Sequence, residues 1–403
     1  MAVPRTILYT GKGGVGKTSI AAATALACGR DGLRTLVIST DPAHSLADVL
    51  GAEVGDEPTE VAEGLHAQQI EAQAEMERHW SAVQAWLGEL LLERGVDRIS
   101  AEELTVPPGM DELFSLLRLK AHHQSGDWDA IVVDCAPTGE TLRLLSFPDV
   151  ARWWLDKVFP WEREILAAAR PFARSLLDVP VPSEAVFADV HALVRNLIAM
   201  SDILRDRASA TVRLVATPDR MVVREAMRTF TYLNLYGYLT DAVVVNRVFP
   251  DEVGGYFDGW RERQREELAG VEAAFAPVPV LRAPYFEREV CGAEMLGRLG
   301  GAVFEGRDPA AVLHDRLVQE LTLGEERASL RLTLPFAEKG DISLKKIGPE
   351  LVVRVDGQKR TIILPDALAR YRAAGASFED GALEVRFDGA ATAEHETGDD
   401  DGG

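Results

Sequence analysis

One short motif near the amino terminus strongly limits the folds open to this chain. The segment Gly11–Thr18 reads GKGGVGKT and lies between a β-rich stretch, Arg5–Thr10, and an alanine-rich stretch, Lys17–Arg30. Its spacing is GxxxxGK(S/T), in which a glycine-rich turn directs successive backbone N–H groups into one concavity at the start of a helix. The motif therefore predicts a phosphate-binding loop between a buried strand and a helix.

The segments around this loop predict the class of fold. Strand, loop, helix and strand in this order form a βαβ unit, which requires parallel strands. Further apolar runs, separated by helical patterns, are typical of buried strands. We expect an α/β fold with a doubly wound, mostly parallel sheet and helices on both faces, built on Leu33–Ser39, Ala130–Asp134, Val212–Ala216, Ala242–Val248 and Val278–Leu281.

Two long helical segments interrupt the sheet pattern. Apolar residues recur at steps of three and four within residues 65–125 and 150–208, which predicts an inserted helical subdomain. These apolar stripes either pack against the body of the domain or form a binding surface. The segment Arg152–Leu166 carries three tryptophans and one phenylalanine within nine residues, and it is our candidate for a surface that contacts client proteins.

The pattern changes towards the carboxyl terminus. A helical stretch, Asp308–Leu323, is expected to close a first domain of residues 1–323. Short alternating strands separated by glycine and proline turns then predict a small all-β sandwich over residues 328–388. The tail, residues 389–403, combines acidic residues with glycine and is expected to be disordered.

Composition excludes several classes of function. The chain has 43 Lys and Arg against 64 Asp and Glu, a formal net charge of −21, so we expect no nucleic-acid partner. Cys28, Cys135 and Cys291 form no CxxC pair, which argues against a disulfide framework and favours a reducing, cytoplasmic setting. No apolar run approaches the ~20 residues of a membrane helix, so we expect no direct membrane span.

The residues of the loop also predict its chemistry. Lys17 is placed to bridge the β and γ phosphates, the Thr18 hydroxyl to bind Mg2+, and Asp134 to bond a water of that ion. The glycines also satisfy GxGxxG, and Asp41 follows the second strand as a ribose-binding acid does in dinucleotide folds. A dinucleotide site is thus an alternative, although it has no need of a lysine and a threonine at the start of the helix.

Three blocks of sequence resemble one family, the arsenite-pump and tail-anchored-protein-targeting ATPases. They are Gly11–Thr18, with its additional Lys12, then Ser39–Leu46 and Asp134–Arg143, in the order and spacing of the family. Weaker matches at Asp219 and Asn246 extend the resemblance to about residue 320. The resemblance implies a homodimeric, Mg2+-dependent ATPase.

The resemblance also implies roles for single residues. Lys12 would reach the phosphates of the partner subunit and act as a catalytic residue with Lys17, and Asp41 would position the attacking water. The alternative for Asp41 is a helix cap. Asp134 would begin switch II and hold the metal with Thr18. The residues implied in ATP binding are Gly11, Lys12, Gly13, Gly14, Val15, Gly16, Lys17, Thr18, Ser19, Asp219 and Asn246.

Departures from the family are as informative as the matches. The chain has no CxxC for a zinc ion between subunits, no cysteines at the positions that bind arsenite, and Glu140 in place of the usual switch II histidine. The carboxyl-terminal module resembles the α-crystallin domain of small heat-shock proteins through Ile362–Pro365 and Gly375–Val385.

Three functions follow from these patterns. The first is an ATPase that switches a hydrophobic surface to bind and release apolar or tail-anchored membrane-protein clients. The alternative is an ATPase that energises an arsenite or antimonite efflux pump through a membrane pump subunit. A third is a nucleotide-independent chaperone that uses only the β module, which the phosphate-loop blocks disfavour.

Overall fold

The computed structural model describes residues 3–40, 45–93, 110–135, 184–316, 319–323, 327–334, 337–348, 350–355, 358–363 and 371–388. The chain divides into two compact units, Met1–Arg316 and Leu317–Gly403.

A mostly parallel sheet lies at the centre of the first unit. Its described strands are Arg5–Thr10 (β1), Thr35–Ser39 (β2), Thr59–Ala62 (β3), Leu65–Gln69 (β4), Ala130–Asp134 (β5), Ala210–Ala216 (β6), Thr240–Val248 (β7) and Val280–Pro284 (β8). These eight strands follow the order β3-β4-β2-β5-β1-β6-β7-β8, and only β3 pairs antiparallel to its neighbour.

Helices connect these strands. They are Lys17–Arg30 (α1), Ser45–Leu50 (α2), Ala72–Glu93 (α3), Met110–Ser125 (α4), Glu184–Arg205 (α5), Arg220–Tyr236 (α6), Asp258–Phe275 (α7) and Gly292–Phe304 (α8), with a short 3-10 turn at Gly255–Phe257. The sheet and its helices confirm the predicted α/β class.

The central strands are buried along their whole length, which explains their continuous apolar sequences. Every residue of β2, β5 and β6 is buried. Helix α1 is rich in alanine because it lies against both the sheet and α8. At Gly300 of α8 a Cβ would come 3.1 Å from the carbonyl oxygen of Ala23, so the absence of a side chain permits the close approach of the two helices.

Strands β3 and β4 were not predicted. The sequence of β4, LHAQQ, has no apolar run, yet Leu65, Gln68 and Gln69 are all buried in it. Gln68 is satisfied there because its Oε1 accepts a hydrogen bond from His122 on α4 at 2.6 Å, and its amide nitrogen donates to the carbonyl oxygen of Asp56. Tertiary hydrogen bonds therefore support a strand that the local sequence does not indicate.

The helix predicted over Asp308–Leu323 is wrong. The described residues of this segment hold no helix, and Gln319–Leu323 is a strand (β9) that pairs with the next strand of the second unit. Arg213 donates to the carbonyl oxygens of Pro309 and Ala311, which lie in a turn closed by the hydrogen bond from Ala311 N–H to the Asp308 carbonyl oxygen. The boundary between the units accordingly falls before residue 319 and not after 323.

The second unit consists of antiparallel strands, in agreement with the all-β prediction. The strands after β9 are Arg327–Thr333 (β10), Ile342–Ile347 (β11), Glu350–Val355 (β12), Gln358–Ile363 (β13), Arg372–Glu379 (β14) and Ala382–Asp388 (β15). One sheet has the order β14-β15-β10-β9 and the other β11-β12-β13. Alternate residues such as Leu330, Leu332, Val385 and Phe387 are buried.

Helices α3, α4 and α5 pack against one another and form the described part of the predicted helical subdomain. Their apolar stripes are largely buried, as at Met76, Val83, Leu193 and Leu197. Within the described ranges no helix has the length and apolar character needed to cross a bilayer. The candidate client surface Arg152–Leu166 and the tail 389–403 lie outside the described residues.

Candidate nucleotide site

The glycine-rich loop joins the carboxyl end of β1 to the first turn of α1. Gly14 and Gly16 have φ angles of 80° and 89°, in the left-handed region that glycine adopts without strain. A Cβ on Gly16 would also overlap the side-chain amide of Asn246, and one on Gly11 would overlap the carbonyl oxygen of Val215. Sterics as well as backbone conformation therefore require glycine at these positions.

The two lysines of the loop lie in different surroundings. Lys17 is only 5% exposed, and its Nζ lies 3.5 Å from the carbonyl oxygen of Lys12, to which it donates. This places the Lys17 ammonium within the curl of the loop, where phosphates bind in loops of this kind. The Lys12 side chain is 41% exposed and its Nζ lies 3.2 Å from Oε2 of Glu225 on α6.

Oxygen ligands suited to magnesium gather beside the loop. Thr18 Oγ1 lies 3.2 Å from Oγ of Ser45, the first residue of α2. Asp134 is fully buried at the end of β5, and Ser39 Oγ donates to its Oδ2 at 3.4 Å. Hydroxyl and carboxylate oxygens are the hard ligands that Mg2+ prefers, and the ion retains several waters when it binds between protein and phosphates. These residues therefore fit the predicted metal.

The register of the sheet brings these groups together. Asp134 lies opposite Tyr9 of β1 and Ser39 of β2, so β5 ends between the strand that leads into the loop and the strand that leads into Asp41. The Thr40 backbone N–H donates to the Asp134 carbonyl oxygen at 3.0 Å. Asp41 itself lies outside the described residues, between this hydrogen-bonded position and α2.

Across the ranges that the structure describes, no group of three or more His, Cys, Asp or Glu side chains is arranged to hold a metal ion. Burial, followed by the charge of Asp134, raises the pKa of the Cys135 thiol to about 12. Burial likewise raises the pKa of Cys28 to about 12. Both thiols are therefore protonated at neutral pH and are poor soft-metal ligands.

A cavity of about 610 Å³ opens beside the loop. The residues that line it include Gly16 and Ser19 near the start of α1, Asn246 and Arg247 at the end of β7, and the segment Tyr285–Val290, which follows β8. A cavity of this volume that adjoins a phosphate-binding loop has the size expected for a nucleoside.

Asn246 connects this cavity to the loop. The residue is 8% exposed, its Nδ2 donates to the Val15 carbonyl oxygen at 2.9 Å, and its Oδ1 accepts from the Arg247 backbone N–H at 2.9 Å. Arg247 has a φ of 60°, unusual for a residue with a side chain. Gln264 on α7 supports this conformation, because it donates to the Arg247 carbonyl oxygen and accepts from Phe249 N–H.

The two residues predicted to contact the nucleoside differ in position. Asp219 is exposed at the start of α6, its Oδ2 accepts from Thr217 Oγ1 at 2.7 Å, and it is not among the described residues that line the cavity. Asn246 does line the cavity. Four features of the site were not predicted from the sequence: Ser45, Arg247, Glu225 and the segment Tyr285–Val290. For the last of these, the run Pro284-Tyr285-Phe286 after a buried strand is a signal that the sequence does carry.

A mostly parallel sheet with a GxxxxGK(S/T) loop at the end of β1, and a buried aspartate at the end of the neighbouring strand β5, is the arrangement of a P-loop nucleoside triphosphatase. Comparison with known families is more specific. Residues 4–305 match the family model described as "Anion-transporting ATPase", and residues 325–387 match an HSP20-like domain found in ArsA. The chain belongs to this ArsA family of ATPases.

Individual relatives agree with this assignment. A protein of Chlorobaculum tepidum named "Putative arsenical pump-driving ATPase" is 37% identical over 95% of this chain and 96% of its own length. A similarly named protein of Aquifex aeolicus is 36% identical over 90% of this chain and 95% of its own length. A more distant relative from Paramecium tetraurelia, named "ATPase ASNA1 homolog 1", is 27% identical over 72% of this chain and 89% of its own length.

Proposed function

We propose that this ATPase acts as a Mg2+-dependent homodimer whose nucleotide state controls the binding and release of apolar or tail-anchored membrane-protein clients. The observation that carries this proposal is the contrast between the two loop lysines. Lys17 is enclosed by its own loop, whereas Lys12 extends away to α6 and is 41% exposed. An exposed lysine beside a phosphate site is available to a second subunit, which is how charge is supplied in trans to a loose phosphoryl-transfer transition state.

The site residues divide this work between them. The loop Gly11–Thr18 with Ser19 would hold the phosphates, and Lys17 would bridge the β and γ positions. Thr18 would hold the metal directly, and Asp134 would bond a water of its shell. The metal, when bound, neutralises charge on the phosphate oxygens. Asp41 would orient the attacking water, because it follows the strand that ends at Ser39, beside Asp134.

The nucleotide state would be coupled to client binding through the two segments that follow β2 and β5. Ser45 begins α2 and contacts Thr18, so release of the phosphates would change the surroundings of the segment that contains Asp41. Asp134 begins the segment that leads into the helical insertion. Movement of these switch segments on loss of the γ phosphate would be transmitted to α3, α4 and α5.

The helical layer supports a client-binding role because it is built from amphipathic helices. Met76, Val83, Leu193 and Leu197 are buried where α3, α4 and α5 pack together, while Leu92 at the end of α3 is 48% exposed. Rearrangement of this layer would expose an apolar surface of the kind that binds apolar segments. The HSP20-like match of residues 325–387 is a further observation in favour of a chaperone-type role.

The alternative is an ATPase that energises an arsenite or antimonite pump, which the names of the relatives favour. Cysteine binds these metalloids through sulfur atoms that lose their protons on binding, which requires thiols that the metalloid can reach. Cys28 and Cys135 are buried with their pKa raised to about 12, and Cys291 donates its thiol to the Asp48 carbonyl oxygen. These positions support the client role over direct metalloid activation.

Steady-state ATP hydrolysis, measured with light-scattering mass, tests the proposal. Wild-type chain should hydrolyse ATP with Mg2+ and shift from monomer to dimer mass, and Asp41→Asn should lose hydrolysis while it still binds nucleotide. Arsenite and antimonite should leave the rate unchanged. Hydrolysis by a monomer, or stimulation by either metalloid, would overturn the proposal in favour of a different mechanism or of the pump-driving role.

A further inference from the structure

The Lys12–Glu225 ion pair joins the phosphate loop to a helix that has no part in the phosphate cradle. Lys12 is the second residue of the loop, and Glu225 lies in the second turn of α6. The distance from Nζ to Oε2 is 3.2 Å, and the two side chains are 41% and 33% exposed. The pair holds the Lys12 ammonium on the α6 side of its own subunit.

The surroundings of Lys12 permit it to leave this position. A Cβ built on Gly13 or Gly14, the residues that follow it, meets none of the described residues within 4 Å. No described residue therefore closes over this part of the loop. An ion pair this exposed is weak, because both partners are well solvated when they separate. The clustered charges of a nucleoside triphosphate with its metal create a far stronger local field at Lys12 than the single carboxylate of Glu225 does.

We propose that Glu225 is a positioning residue that retains Lys12 on its own subunit and releases it when two ATP-bound subunits meet. The inference rests on the proposed function, since it requires Lys12 to act on the partner subunit. Each dimer that forms must break the pair in both subunits. Glu225 thus raises the protein concentration at which ATP drives dimerisation.

The direction in which the dimerisation midpoint changes on substitution of Glu225 distinguishes this role from others. Without the carboxylate, Lys12 is already free in both subunits, so Glu225→Gln should lower the protein concentration for half-maximal dimerisation about two- to thirtyfold, the range expected for loss of two exposed ion pairs per dimer. A residue that supported the dimer would have the opposite effect. A residue that only stabilised α6 would change the melting temperature and leave the midpoint unchanged.

The experiment measures light-scattering mass of the full chain against protein concentration, with Mg2+ and the slowly hydrolysed analogue ATPγS. Glu225→Gln is compared with Glu266→Gln, which removes one exposed charge from α7. This control is needed because the chain carries a net charge of −21, and any lost acid weakens repulsion between copies. A Lys12→Met/Glu225→Gln double variant tests whether the effect requires Lys12.

We expect a lower midpoint for Glu225→Gln alone, a wild-type midpoint for Glu266→Gln, and no difference between Lys12→Met and the double variant. A raised midpoint, an effect equal to that of Glu266→Gln, or an effect that persists without Lys12 would overturn the role of Glu225. If wild type stays monomeric with ATPγS, and Lys12→Met hydrolyses ATP at the wild-type rate, the proposed function fails and this inference fails with it. Dimerisation of wild type that Lys12→Met abolishes, with Glu225→Gln unchanged, would overturn the inference alone.

Discussion

Asn246 at the end of β7 donates a hydrogen bond of 2.9 Å from its side-chain amide to the main-chain carbonyl oxygen of Val15 in the phosphate loop. The bond connects two elements that are far apart in the sequence and separated in the sheet by β6. Because Asn246 also lines the cavity beside the loop, it fixes the position of the loop relative to the place where a nucleoside would bind. Positioning of the loop is therefore a function of this side chain in addition to any contact with the base.

Asn246→Asp should weaken nucleotide binding by about 5- to 150-fold, because a carboxylate cannot donate to the Val15 carbonyl and a buried polar group left unpaired costs about 1–3 kcal/mol. Asp219→Asn is the matched comparison at the other predicted nucleoside residue. Thr217 can still donate to the new amide oxygen, so its effect should be below about twofold. Calorimetric titration with Mg2+ and ADP measures the nucleotide affinity of both variants. A larger loss of affinity for Asp219→Asn than for Asn246→Asp would contradict the role assigned to Asn246.

Gly16→Ala should destabilise the unliganded chain and abolish nucleotide binding. The new Cβ overlaps the Asn246 amide, and the backbone has a φ of 89°. Gly13→Ala is the control within the same loop, since its Cβ meets none of the described residues within 4 Å. Thermal unfolding without nucleotide should separate them, with Gly13→Ala within about 0.5 kcal/mol of wild type. Equal loss of stability in both variants would show that the steric argument is wrong.

Asp241→Asn should destabilise the first unit by about 3–5 kcal/mol, the range measured when one partner of a buried ion pair is removed. Asp241 and Arg213 are both fully buried, with Oδ1 and Nε 3.2 Å apart, and Arg5 also lies 3.2 Å from Oδ2. Asp251→Asn is the control, because that carboxylate is 86% exposed in its pair with Arg261. The free energy of unfolding, measured in urea, should change by less than about 1 kcal/mol in Asp251→Asn. Similar losses in the two variants would refute a special role for the buried cluster.

Acid should destabilise the fold partly through His122. Burial, and then the charge of Arg118, lower the pKa of His122 in the folded chain. Its Nδ1 accepts from Trp128 Nε1 at 3.4 Å, which requires the neutral ring. The unfolded chain binds the proton first, near the ordinary pKa of about 6.5, so stability is lost as pH falls below that value towards the folded pKa.

His122→Gln should therefore show a smaller drop in urea midpoint than wild type between pH 7.5 and pH 5.5. His314→Gln removes a histidine from another part of the first unit and should show the drop of wild type. An undiminished drop in His122→Gln would mean that other groups account for the acid sensitivity.

Much of the nucleotide-binding framework was predictable from local sequence. Runs such as Ala130–Asp134 are apolar throughout because they are buried on both faces, and the loop glycines carry a spacing that few other structures require. The site features that escaped prediction depend on contacts between distant segments. In the sequence Glu225 is an ordinary surface residue of a helix, and only the fold brings it to Lys12. Likewise, the backbone conformation of Arg247 at the end of β7 is supported by Gln264 on α7.

The same distinction explains the errors in secondary structure. Strand β4 has a polar sequence and forms because β2 offers it a parallel partner and His122 satisfies Gln68. The helical pattern over Asp308–Leu323 does not form a helix, because Arg213 and Arg5 hold the main-chain carbonyls of Pro309, Ala310 and Ala311. Hydrogen bonds from these two arginines therefore override the local helix propensity of this segment.

Mixing two inactive variants tests the central claim most directly. Lys12→Met keeps Asp41 but cannot supply the lysine, and Asp41→Asn supplies the lysine but cannot orient water. If Lys12 acts on the partner subunit, an equal mixture should recover about a quarter of the wild-type ATPase rate, because half of the dimers are mixed and each has one complete site. A mixture no more active than the mean of the separate variants would contradict the account, since Lys12 and Asp41 would then act within one subunit.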